Sequence, residues 1–227
     1  MLLDGMITAD VVGANPDWAA QRKAGEVSFS DPEFRAPVER WKTFFDKGYF
    51  NADALTLDYA KLSAAFAAGA GVMYPMGSWA GTTTADFTVG VFPLPSSGGD
   101  VVIGQNYGQA LAISATTKYP VQARALAVAL ATGDGAALAN LKSDSTIPVV
   151  TGLEIPSDTA PLIQETFAAY QTEGARSVEP FGWTQGANAL PSGFGDEFNK
   201  GAQGLLLGGS VDEFLSKMDK TYDDLNQ

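Results

Sequence analysis

Phe66-Ala67-Ala68-Gly69-Ala70-Gly71-Val72-Met73-Tyr74-Pro75-Met76-Gly77-Ser78-Trp79 is the stretch whose reading decides the fold. It reads as a helix end, a glycine stop, a short buried strand over 72–74, and a Gly-Ser turn presenting one tryptophan. Strand ends that feed small-residue turns are where open α/β sheets place ligands. At Gly77 and Ser78 the backbone can come close to a ligand, with the Trp79 indole as a flat apolar face beside it. Core packing is the commoner fate of such a tryptophan, so on this stretch alone both readings stay open.

Upstream, Asn15-Pro16 is a cap followed by a first-turn proline and predicts a short helix over about 17–24. Ser30-Asp31-Pro32 repeats the device. Phe34, Val38, Trp41 and Phe45 then fall at spacings of four, three and four, a core stripe closed by Gly48. A third helix starts near Asp58, with Tyr59, Leu62 and Phe66 on one face and read as core. The opening Met1-Leu2-Leu3-Asp4-Gly5-Met6 lacks the basic region and cleavage site of a signal peptide, and reads as the last turn of an amphipathic helix.

Downstream, 87–92 reads as a second buried strand. In Phe92-Pro93-Leu94-Pro95-Ser96-Ser97-Gly98-Gly99 two prolines give a stiff crossing and the Ser/Gly tail gives a loop, a first candidate boundary between lobes. Strands over 101–104 and 109–114 flank the polar insert Gln105-Asn106-Tyr107-Gly108. Tyr119-Pro120 starts a helix that runs to Thr132, and a short helix follows over 135–142. Ser143 to Pro148 is the second candidate boundary. Pro161 opens another helix, the region 181–192 around Trp183 reads as a loop, and a helix covers about 194–207. Ser210-Val211-Asp212-Glu213 is a capping box for a last helix carrying Phe214, Met218 and Tyr222. Helices alternating with short strands point to an α/β fold.

Composition excludes much. A net charge of −12 argues against nucleic acid and against a basic patch for anionic membranes. With no His and no Cys, Ser-His-Asp and Cys-His catalysis, thiolate zinc and disulfides are all removed. Paired carboxylates need neither residue, so a glycosidase or glycan lyase stays open, with Asp86, Asp144 and Glu179 as conceivable members of a pair. The other acidic residues read as caps and solvated helix faces. Gly104 to Gly108 and Gly133-Asp134-Gly135 are not phosphate loops, since neither leads into a Lys-Ser/Thr. No metal and no cofactor is assigned.

In the order Phe66 to Met73, Gly77-Ser78-Trp79, Asp86 to Pro95, Ala112-Ile113-Ser114 with Ala123 to Leu130, Ile147-Pro148-Val149 and Gly208 to Phe214, the chain resembles the later part of an extracellular solute-binding protein of family 1, the sugar-binding receptors of ABC importers. The resemblance implies a type II periplasmic-binding-protein-like fold of two α/β lobes closing on a ligand by a hinge. It implies that residues 1–92 and 146–227 form most of the second lobe and that 100–142 belong to the first, with crossings near 93–99 and 143–148. It further implies an N-terminal lobe portion and an export signal ahead of Met1, so the expectation is an N-terminally truncated monomer, periplasmic or membrane-anchored outside the cell when whole. Its partners would be a small carbohydrate and the importer's permease subunits, and it would not be an enzyme.

The ring faces of sugars gain contact area on indoles, and their hydroxyls need matched polar groups. Trp79 is the first stacking candidate, with Gly77 and Ser78 beside it. Trp183 is the second, against a reading as a loop anchor. Gln105, Asn106 and Tyr107 are cleft candidates, against a solvated hairpin tip. Trp41 belongs to the core stripe, and Trp18, near a helix start, is weighed mainly as core.

Overall fold

Apolar residues at helical spacing draw the two ends of the chain into one core. The computed structural model describes residues 1–82, 84–105, 111–148, 153–182, 186 and 189–226, without the side chains of Thr82 and Asp144. Helix α1 (Leu2–Ile7) buries Leu3, Met6 and Ile7 and runs on into a π turn, Thr8–Val12. The opening segment is therefore longer than the single turn its sequence suggested. Helices α2 (Trp18–Ala24) and α3 (Pro32–Asp46) follow where their prolines and caps place them. Phe34, Val38 and Trp41 of the α3 stripe are buried, and Phe45, in the last turn, is half-buried.

From the far end come α8 (Phe194–Leu206) and α9 (Val211–Leu225), which bury Phe194, Phe198, Leu205, Phe214, Leu215, Met218 and Tyr222. The Ser210 side chain accepts the Glu213 N–H at 3.4 Å, so the Ser210 half of the capping box opens α9 as expected. Aromatic rings join the two ends: Phe34 stacks on Trp18 at 5.0 Å and meets Phe181 edge-on at 5.3 Å, and Phe29 stacks on Phe194 at 5.0 Å. Asp219 of α9 fastens the same joint by accepting from the Phe29 N–H, the Ser30 N–H and the Ser30 hydroxyl at 2.7, 3.1 and 2.6 Å. Arg22, itself buried, donates to Asp223 at 2.7 Å and lies 4.3 Å over the Tyr222 ring.

Between these ends run α4 (Tyr59–Ala67), α5 (Pro120–Thr132), α6 (Asp134–Asp144) and α7 (Pro161–Tyr170). Strand β1 (Val102–Gly104) pairs in parallel with β2 (Arg176–Val178), in the register Val102 to Arg176, Ile103 to Ser177 and Gly104 to Val178. Parallel pairing requires a long crossover, here supplied by α5 to α7. The fold is thus α/β and rich in helix. Among the described residues, no helix is long and apolar enough to cross a membrane.

Four sequence expectations need correction. Residues 72–74 and 87–92 are not strands, and Val72, Met73, Phe87, Val91 and Phe92 are exposed. Two of their polar groups are engaged elsewhere. Tyr74 turns back to α4, stacking on Phe66 at 5.0 Å with its hydroxyl 2.7 Å from that of Ser63, and the Val91 N–H donates to the Glu165 carboxylate at 2.8 Å. Without a paired neighbour a run of apolar residues makes no ladder. Residues 111–114 are likewise unassigned to a strand, with Leu111 and Ile113 exposed; 109 and 110 lie outside the described residues. Helix α4 begins at its Asp58 cap as predicted but buries no residue, so Tyr59, Leu62 and Phe66 are not core.

Candidate functional site

Trp79 stands on a 3₁₀ turn, Ser78–Thr82, closed by the Ala80 N–H donating to the Gly77 carbonyl at 3.0 Å. The indole is 48% exposed, which excludes the core reading for this residue. It folds back over Gly77: a Cβ there would fall on the ring atoms Cζ3, Cη2 and Cε3, the last at 2.6 Å. Gly77 therefore seats the ring, a different task from the backbone approach to a ligand that its sequence suggested. The turn is held from below. A Cβ at Gly81 would lie 2.8 Å from the Ser145 hydroxyl and 3.2 Å from Ile163 Cγ1, so the turn packs directly on the end of α6 and on α7. The result is a flat, partly exposed apolar face on a supported turn, with the half-buried Ser78 next to it.

The other sequence candidates are not gathered around this ring by any described contact. Gln105 is exposed at the end of β1, where its N–H donates to the Val178 carbonyl at 2.8 Å and continues the ladder. Asn106, Tyr107 and Trp183 lie outside the described residues. Trp41 is buried on its stripe, and Trp18 is buried in the aromatic core.

A concavity of about 320 Å³ lies beside β2 and was not anticipated as a unit. Val12, Pro16, Trp18 and Ala19 form one wall, and Ser177 to Gly182 with Leu190 form the other. The π turn shapes this wall: Thr8 donates to the Asp4 carbonyl at 2.7 Å and accepts the Phe181 N–H at 3.0 Å, tying the exit of β2 to the first helix. Asn15-Pro16 signalled only a helix start, and nothing local in the sequence reveals that β2 folds against it. A smaller depression is lined by Ala67, Thr84, Ala85 and Asp86. Asp86 and Glu179 thus line separate depressions, so these two do not form the facing carboxylate pair that glycoside hydrolysis uses. The side chain of Asp144 is outside the description. Among the described residues no group of His, Cys, Asp and Glu could hold a metal ion.

The geometry thus defines an α/β protein with an exposed aromatic platform on a supported turn. The bacterial extracellular solute-binding protein family matches residues 7–137, more than half of the chain, and the chain belongs to that family. A comparison with curated proteins gives no match. Among solved structures, a chitin oligosaccharide binding protein superposes on 100% of this chain and 57% of its own, at 23% identity and a TM-score of 0.83. A structure described under xylan utilization by the thermophilic bacterium Caldanaerobius polysaccharolyticus matches 96% of this chain and 58% of its own, at 16% identity and TM-score 0.72. The putative binding protein MsmE of Bacillus subtilis subsp. subtilis strain 168, in an open conformation, matches 99% and 56% at 19% identity and TM-score 0.74. The fold is therefore periplasmic-binding-protein-like, as the resemblance implied. The chain spans a little over half the length of each solved structure.

Proposed function

We propose that this chain is part of the substrate-binding component of a carbohydrate ABC importer, which captures a sugar or oligosaccharide between two lobes and delivers it to a membrane permease. Family membership supports the transport role. The observation that carries the carbohydrate is the half-exposed Trp79 ring seated on Gly77. An indole held flat by its own turn is preorganised for stacking, so little ordering entropy is lost when a pyranose ring lands on it. The names of the similar structures, chitin oligosaccharide and xylan, both describe chains of β-linked pyranose rings, the shape that a flat apolar platform accommodates.

Residues 1–92 and 146–227 are assigned to one lobe and 100–142 to the other, with crossings near 93–99 and 143–148. One wall of the cleft is then carried here, with Trp79, Ser78 and Gly77 as its platform and Trp183 as a further candidate contact, while Gln105, Asn106 and Tyr107 are candidate contacts from the other lobe's segment. Most of the facing wall comes from the part of the fold that this chain does not span. The exposed apolar helix α5, in which Arg124 is the one charged residue, fits this assignment, since a helix apolar on all sides is ordinarily covered. The protein works as a monomer outside the cytoplasmic membrane, and its anchoring belongs to the same proposal. It acts by binding, without catalysis.

Titration with chito- and xylo-oligosaccharides tests this reading. The 227-residue chain should bind with a dissociation constant of about a millimolar, roughly −4 kcal/mol, as expected of one wall alone. Trp79→Ala should weaken that binding by about threefold to tenfold, the range of aromatic stacking terms. Unchanged affinity in Trp79→Ala would refute the platform, and micromolar binding by the unextended chain would refute the half-cleft assignment.

A further inference from the structure

Ser145 departs from the ordinary in two independent ways. Its φ of 57° and ψ of 24° make it the one non-glycine residue in the left-handed region among the described residues. Its side chain is also buried, at 1% residue exposure, with no hydrogen-bond partner for Oγ. Left-handed backbone at a side chain larger than glycine is strained, and an unpaired buried hydroxyl forfeits its hydration. Neither departure is needed to end α6. The Ser145 N–H already closes that helix on the Leu141 carbonyl at 3.1 Å, and glycine would take the same backbone conformation without strain.

What the side chain does is fill the space beneath the Trp79 turn. A Cβ at Gly81 would stand 2.8 Å from Ser145 Oγ and 3.0 Å from its Cβ, so the Gly81 backbone rests directly on this side chain, with Ile163 completing the seat. Gly81 and Trp79 belong to the same short 3₁₀ turn. Leu141 and Ile163 are buried around the contact, so the seat has little freedom to collapse.

We propose that Ser145 is a positioning residue for the Trp79 platform: its strained, buried side chain wedges the Ser78–Thr82 turn into the orientation that presents the indole. The inference rests on reading Trp79 as a ligand platform. It explains why a residue with a side chain, and not glycine, stands at this left-handed position, and it makes an unusual demand. Removing the wedge should stabilise the backbone while loosening the platform.

The test uses Ser145→Gly and Ser145→Ala in the 227-residue chain labelled with 5-fluorotryptophan, the Trp79 resonance being assigned from Trp79→Phe. Ser145→Gly should keep or raise the melting temperature. It should shift or broaden the Trp79 fluorine line while leaving that of Trp41 in place, and weaken binding of chito-oligosaccharide by about fivefold. Ser145→Ala keeps the Cβ beneath Gly81 and should retain the Trp79 line and the affinity. An unmoved Trp79 line in Ser145→Gly overturns the proposal. So does a lowered melting temperature with the Trp79 and Trp41 lines moving together, the mark of a general packing role. If no oligosaccharide binds any of these proteins, the platform reading fails, and the fluorine comparison still decides whether Ser145 sets the turn.

Discussion

Residues 3–41 and 181–222 share one core in which Ile7, Phe29, Phe34, Val38, Phe194, Leu215 and Met218 have no accessible surface, whereas helices α4 and α5 in the middle of the chain bury no residue at all. The middle helices α4 and α5 are more apolar in sequence than α3 and α9 of the ends. Val72, Phe92, Val121, Leu126 and Val128 are as hydrophobic as the core residues, yet they face outward. The difference lies in partners. The ends of the chain find each other, and Asp219 and Arg22 fasten them with directional bonds. The middle is fastened at fewer points, through the seat of the Trp79 turn on α6 and α7 and through the β1–β2 pair. Burial of a large apolar side chain contributes about 1.5–3 kcal/mol. Stability should therefore concentrate at the ends, and the candidate site stands on the less buried part, as ligand-binding elements commonly do.

The contrast can be broken most sharply at Phe34. Phe34→Ala removes a fully buried ring that touches Trp18, Phe29, Phe181 and Phe198, and should cost about 3–5 kcal/mol in denaturant unfolding. A loss under about 1 kcal/mol would show that the ends do not carry the fold. Next in size is Asp219→Ala. It strands two backbone donors and the Ser30 hydroxyl, and removes a carboxylate beside the buried Arg22, for a cost of about 2–4 kcal/mol. In contrast, Leu126→Ala on exposed α5 should change stability by no more than about 0.5 kcal/mol. A larger loss would mean that α5 is covered in solution.

How much of this was legible in the sequence divides along the same line. The stripe Phe34, Val38, Trp41 and Phe45 and the cap at Ser210 are local patterns with local causes: three of the four stripe residues are buried with Phe45 half-buried, and Ser210 caps α9 as read. Residues 72–74 and 87–92 were misread because an apolar run looks the same whether or not a strand lies beside it, and pairing is decided far away in sequence. Strand β2 was missed for the converse reason: Arg176-Ser177-Val178 has no strand-like pattern, and its partner β1 lies more than seventy residues earlier. At the site, the Gly-Ser turn left Trp79 open between core and platform, and only the folded chain shows it exposed. The role of Gly77 was no more legible, because only the folded turn shows the ring lying across it. The seat on Ser145 joins residues more than sixty positions apart, and no spacing rule reports it.

The smallest expected effect is electrostatic, and it samples both regions. Asp58, which caps α4 by accepting the Lys61 N–H at 2.9 Å, is held below the usual carboxylate range by that hydrogen bond. Glu197 on α8 is held low by its hydrogen bond to Lys217, helped by the charges of Lys200 and Lys217. A carboxyl whose pKa is lower folded than unfolded stabilises fully above the unfolded value, and that contribution is lost as pH falls through the folded value. Both groups are exposed, so each effect is slight. Asp58→Asn and Glu197→Gln should each make the loss of stability below about pH 5 shallower, and a slope identical to the parent protein's in both variants would contradict the assignment.

The central claim is that a supported, half-exposed Trp79 is the ring on which a carbohydrate lands, while Trp18 and Trp41 serve the core. Fluorine spectra of the 5-fluorotryptophan protein, titrated with chito- and xylo-oligosaccharides, test it most directly. The account predicts a saturable shift of the Trp79 line with the Trp18 and Trp41 lines unmoved. A Trp79 line that stays fixed while a core tryptophan responds, or while binding is seen by calorimetry, would contradict it.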